Sequence, residues 1–149
     1  MSELGDLYQE LILDHNARPR NFGELDDASH HAAGHNPLCG DTLDVFLQID
    51  GDVVREVRFK GHGCAISKAS ASLMTDSIKG KTVAEVESLF GRFHELLAGD
   101  EALAGDISTL GKLAVFAGVR EYPMRVKCAT LAWHTVKAAL SGEQKTSTE

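Results

Sequence analysis

This chain has no basic block. Lys and Arg number 15 against 22 Asp and Glu, for a formal net charge of −7. Binding to a phosphate backbone rests on clustered cations, and the basic patches here are short, such as Arg18-Pro19-Arg20 and Arg125-Val126-Lys127, so nucleic acid is not an expected partner. No apolar run approaches the ~20 residues of a membrane span. The opening residues, MSELGDLYQELILDHN, lack a basic start and carry acids among their apolar positions, so they are not expected to act as a secretory signal. A cytoplasmic protein that spans no membrane is therefore expected. Cysteine is scarce as well: three in 149 residues, an odd number that cannot pair fully within one chain, in a compartment that disfavours structural disulfides. There is no Cys-x-x-Cys pair, no Ser-His-Asp arrangement, and no glycine-rich phosphate loop, since Gly61-His62-Gly63 is too short for one.

The length suits one domain, residues 1–142, followed by a polar and flexible tail, 143–149. Leu4, Leu7, Tyr8, Leu11 and Ile12 fall at helical spacing and predict a helix over 4–16, ended by Arg18-Pro19. A short strand is expected over 29–35. Leu43, Val45, Leu47 and Ile49 alternate, Asp50-Gly51 signals a hairpin turn, and the return strand over 53–60 places Val53, Arg55, Val57 and Phe59 on one face. A helix over 66–79 carries a stripe rich in small side chains. Thr82-Val83-Ala84-Glu85 opens a helix with a capping box, Asp106 caps another that Gly118 closes, and Tyr122-Pro123 introduces the last, over 124–141. Strands early and helices late argue for an α+β fold. The histidines read as solvated loop residues (His30, His31, His35), as a neighbour of the Cys64 segment (His62), or as ordinary helix-face residues (His15, His94, His134).

Each cysteine stands at an edge between predicted elements. Cys39 precedes a strand, Cys64 precedes a helix, and Cys128 lies in the first turns of another. Helix starts present free N–H groups and partial positive charge, which favour a thiolate. Asp41 is the acid nearest to any of the three, and a Cys39-Gly40-Asp41 turn can aim both side chains at one ion because Gly40 leaves the bend unobstructed. Three thiolates and a carboxylate exceed the charge of a zinc ion by two, and Arg125 and Lys127 lie within three residues of Cys128 to offset it. On the residues alone, a shared metal site and three scattered packing cysteines both remain open.

The segments LYQELILDHNARPRNFG, NPLCGD, FKGHGCAISKASASLMTD and RVKCATLAWHT, in this order and with all three cysteines in register, resemble the SufU-type iron–sulfur cluster assembly proteins, of the group that includes IscU and the N-terminal part of NifU. The resemblance implies a compact α+β domain with a three-stranded antiparallel sheet. It also implies that Cys39, Asp41, Cys64 and Cys128 converge on one metal, with Arg125 and Lys127 in the surrounding shell. The scaffold branch has a histidine just before its third cysteine. Here Lys127 stands there, and since an ammonium cannot ligate, Asp41 becomes the fourth ligand. A long segment between Cys64 and Cys128, around 81–118, points the same way, to the SufU type. The activity implied is zinc-dependent sulfur transfer: a pyridoxal-phosphate-dependent cysteine desulfurase forms a persulfide, a zinc-bound thiolate accepts its outer sulfur, and other cluster-assembly proteins receive it. Cys39, in its glycine-flanked loop, is the expected acceptor, its place taken by a histidine of the desulfurase. The alternative is a scaffold that holds iron as a [2Fe–2S] cluster.

Overall fold

The computed structural model describes residues 3–37, 40–98, 107–142 and 145–147. Cys39 and Asp106 lie outside the described residues. Three strands form an antiparallel sheet: β1 (His30–Asn36), β2 (Asp41–Asp50) and β3 (Val53–His62). Around it run α1 (Glu3–Ala17), α2 (Ala65–Ile78), α3 (Val83–Ala98), a 3-10 segment (Ile107–Glu121) and α4 (Pro123–Leu140). Helix α4 packs on β1 and β2, α2 lies against α4 and β3, and α1 leans on α2. The sheet thus shows one face to the helices, as a half-buried antiparallel sheet does. Among the described residues, no helix is long and apolar enough to cross a membrane.

The β2–β3 hairpin differs from simple alternation in one respect. Gln48 pairs with Glu56 but Ile49 pairs with Val54, so the ladder skips Arg55. This bulge shifts the side-chain period by one residue. Val54 joins Val57 and Phe59 in the core, all fully buried, while Arg55 is exposed. The expectation that Val53, Arg55, Val57 and Phe59 share one face is corrected accordingly: the bulge puts Val54, not Arg55, with Val57 and Phe59.

Two further corrections concern the later chain. In the segment expected to be a helix closed by Gly118, the structure has 3-10 turns that run on to Glu121 and break at Gly111, whose φ of 60° and ψ of −134° are not helical. The expected flexible tail contains β4 (Lys145–Ser147), which pairs in parallel with β1 and makes the sheet order β3-β2-β1-β4. Its polar sequence gave no strand signal, because an edge strand is held by backbone hydrogen bonds that any side chain permits. The capping box is present, with Thr82 N–H donating to Glu85 Oε1 at 3.0 Å and Glu85 N–H to Thr82 Oγ1 at 3.1 Å.

His15 is not an ordinary helix-face residue, since only 1% of its surface is exposed. Its Nδ1 lies 2.6 Å from Ser72 Oγ, which also accepts the Arg20 N–H at 2.8 Å. This contact ties α1 to the small-residue face of α2. Burial, then the Arg20 charge, holds the imidazole below its usual value, and burial does the same at His134. Both rings therefore bind a proton less readily in the fold than in the unfolded chain. Their stabilisation is present above the free-imidazole value of ~6.5 and is lost as pH falls below it. The melting temperature should fall between about pH 8 and about pH 5.5. Thermal scans of His15→Gln across that range should show a shallower dependence than the parent; an unchanged slope would remove His15 as the source.

Candidate metal centre

Three elements converge at one end of the sheet. Asp41 opens β2 and is 1% exposed. Cys64 is the N-cap of α2, at φ −69° and ψ 165°, and its sulfur accepts the Ser67 N–H at 3.4 Å. A thiol here occupies the position that Ser, Thr, Asp or Asn usually fill, where the first N–H groups of a helix lack partners. Cys128 lies in the second turn of α4, buried, with Asn36 Nδ2 donating to its sulfur at 3.7 Å.

Asp41 joins the first two. Its Oδ1 accepts the Cys64 N–H at 2.9 Å and its Oδ2 lies 3.7 Å from Cys64 Sγ. Gly63 makes this possible, because a Cβ there would stand 2.5 Å from Asp41 Oδ1. One ligand atom each from Asp41, Cys64 and Cys128 lies within 4.8 Å of the others. The hydrogen bond between the two sulfurs, helped by Ser67 N–H, brings the Cys64 thiol down to about 7, against burial and the Asp41 charge, which push it up.

The donor set fits a zinc ion. Ligand atoms at ~2.0–2.3 Å from a tetrahedral zinc stand ~3.5–3.8 Å apart, so the three atoms would need to close by about an ångström at most. A buried carboxylate is costly without a partner charge, and among the described residues no Lys or Arg pairs with Asp41. Two thiols and a buried acid, crowded together without a cation, make a chemically coherent metal set.

The other residues singled out in the sequence lie as follows. Arg125 is exposed with its guanidinium 4.8 Å over the Tyr122 ring. Its charge is thus held on the first turn of α4, and it makes no hydrogen bond or ion pair with Asp41 or Cys64. Lys127 is half-buried along a groove with His94, Leu97, Thr130 and His134. His62 meets Thr42 Oγ1 at 3.2 Å, and His31 meets Asp44 at 3.0 Å and stacks on Phe46. None of these joins the cluster. Sequence reasoning missed Asn36 and Gly63, which carry no ligand atom of their own; their place beside the Cys39-Asp41 and Cys64 segments was the available signal.

The fold and this site define a recognised class. The chain belongs to the NifU-like N-terminal domain family, whose model matches residues 7–129. Among its relatives, a Bacillus subtilis protein named zinc-dependent sulfurtransferase SufU is 39% identical over 143 residues, 96% of this chain and 95% of its own. A Streptococcus pyogenes protein named iron–sulfur cluster assembly scaffold protein IscU is also 39% identical, over 140 residues, 94% of this chain and 86% of its own. A crystal structure from Fervidobacterium islandicum, described as a candidate cluster assembly scaffold of the SUF system, superposes with a TM-score of 0.83 at 37% identity, over 91% of this chain and 97% of that one.

Proposed function

We propose that this protein serves iron–sulfur cluster assembly as a zinc-dependent acceptor of persulfide sulfur from a pyridoxal-phosphate-dependent cysteine desulfurase, with Cys39, Asp41, Cys64 and Cys128 as the zinc ligands. The observation that carries the reading is the convergence of Asp41, Cys64 and Cys128 from three separate elements. Lys127 supports it, since the residue just before Cys128 can donate no lone pair to a metal and leaves that place to Asp41. The name of the Bacillus relative points the same way. Arg125 and Lys127, within three residues of Cys128, would offset part of the charge of a set that is formally negative.

Zinc, when bound, would keep the sulfurs deprotonated at neutral pH. The chain supplies the nucleophile and its orientation. The Cys39 thiolate attacks the outer sulfur of the desulfurase persulfide, R–S–SH. A bond forms between Cys39 Sγ and that sulfur, the original S–S bond breaks, and its electron pair leaves on the desulfurase cysteine as a thiolate. The proton travels with the transferred sulfur, and nothing is oxidised or reduced overall. A second reading, a scaffold for a [2Fe–2S] cluster, has its support in the relatives named IscU; thiolate-dominated donor sets also hold such clusters.

Freshly purified protein should be colourless, hold about one zinc per chain, and accelerate the desulfurase, with the acceleration lost on chelation. Brown protein with stoichiometric iron and no acceleration would replace this reading with the scaffold. A smaller effect tests the Asp41 cradle. Gly63→Ala drives a methyl group into the Asp41 carboxylate and should weaken zinc binding by roughly 10–100-fold, the range for lost support around a ligand. Competition with a chromophoric chelator measures it, and unchanged affinity would free Asp41 from the ligand set.

A further inference from the structure

Asn36 is the last residue of β1 and stands opposite Asp41 in the β1–β2 ladder, with none of its surface exposed. Its backbone and its side chain do two separate jobs. The carbonyl oxygen accepts the Gly40 N–H at 2.8 Å, closing the loop 37–40 that contains Cys39. The side-chain amide donates to Cys128 Sγ at 3.7 Å. A thiolate has no proton to give, so the amide must turn its N–H toward the sulfur. The sulfurs of Cys64 and Cys128 are not supported alike. Besides the Cys128 sulfur, Cys64 has an N–H donor from the backbone of α2, which no side-chain substitution removes. Cys128 takes one from a side chain 92 positions away in sequence.

We propose that Asn36 is a positioning residue that holds Cys128 as a retained metal ligand and so directs the incoming sulfur to Cys39. This rests on the sulfur-acceptor reading above. A hydrogen bond donated to a metal-bound sulfur draws electron density from it, which makes it a poorer nucleophile, and fixes its direction. The amide therefore quiets one sulfur while the same residue's backbone shapes the loop that bears another. Loop closure needs only a carbonyl, which every residue has, so the side-chain role can be removed separately.

The test compares Asn36→Leu and Asn36→Asp with the parent after exchange of zinc for cobalt(II). Both variants keep the side-chain size and remove the amide donor. The sulfur-to-cobalt charge-transfer band should move to longer wavelength in both, zinc affinity should fall by roughly 10–100-fold, and peptide mass mapping after incubation with desulfurase and cysteine should find persulfide on Cys128 as well as Cys39. A residue that only props up the loop would leave the band position unmoved. If Asn36→Leu does not fold, the isosteric Asn36→Asp is read alone, its fold checked by circular dichroism. An unmoved band, affinity within about twofold, and sulfur confined to Cys39 would overturn the inference. If the parent itself binds neither zinc nor cobalt, or accepts no sulfur, the underlying reading fails instead.

Discussion

Cys39→Ala is expected to reduce desulfurase turnover to that of the desulfurase alone, with no persulfide detectable on the protein by mass spectrometry, while much of the zinc remains. Both parts follow from how the sulfurs are held. Cys64 caps α2 and takes a backbone N–H on its sulfur. Cys128 is buried in α4 and takes the Asn36 amide. Neither can approach a partner's cysteine without leaving a structural position. Cys39 belongs to the short connection 37–40 between Asn36 and Asp41, where displacement breaks no helix or strand. Its loss still leaves Asp41, Cys64 and Cys128 close enough to share a cation. Full acceleration by the variant would move the nucleophile to another residue.

Cys64→Ala should have the larger effect on the metal. Dividing the ~10–16 kcal/mol of a structural zinc site among four ligands gives ~3 kcal/mol for each, roughly a hundredfold or more in affinity. The same change strips the N-cap from α2, at a cost of about 1 kcal/mol, and removes the sulfur that lies 3.7 Å from Asp41 Oδ2, while the backbone N–H at 64 still donates to Oδ1. Cys64→Ser separates the two losses. Its hydroxyl can still cap the helix, so thermal stability in the presence of chelator should recover while zinc affinity stays low. Equal zinc affinity in parent and Cys64→Ala, by competition titration, would exclude Cys64 from the site.

The contrast between these residues shows what kind of information a sequence carries. Leu43, Val45 and Leu47 announce β2 because alternation is a local property, and Thr82 with Glu85 announces a helix start because both partners lie within one turn. The bulge at Arg55 leaves no such trace; it is settled by which of Val53 and Val54 finds room in the core. Strand β4 is equally silent, being three polar residues held by their backbone. At the site, thiols and a carboxylate stand out by chemistry. Yet Cys64 and Cys128 are 64 positions apart, and only the resemblance to known proteins brought them together before the fold was seen. Asn36 escaped notice because a neutral amide at a strand end has many uses, and its sulfur partner is visible only in three dimensions.

The parallel pairing of β4 with β1 has a practical consequence. Ser147 stands opposite His35, one residue from Asn36, so the backbone at 147 runs toward the end of the sheet where the sulfurs gather. A purification handle of consecutive histidines fused after this strand would deliver competing imidazoles next door to the very ligands under study. Metal stoichiometry and exchange rates measured on such a fusion would report the handle as much as the protein, and a cleavable handle at the other terminus avoids the problem.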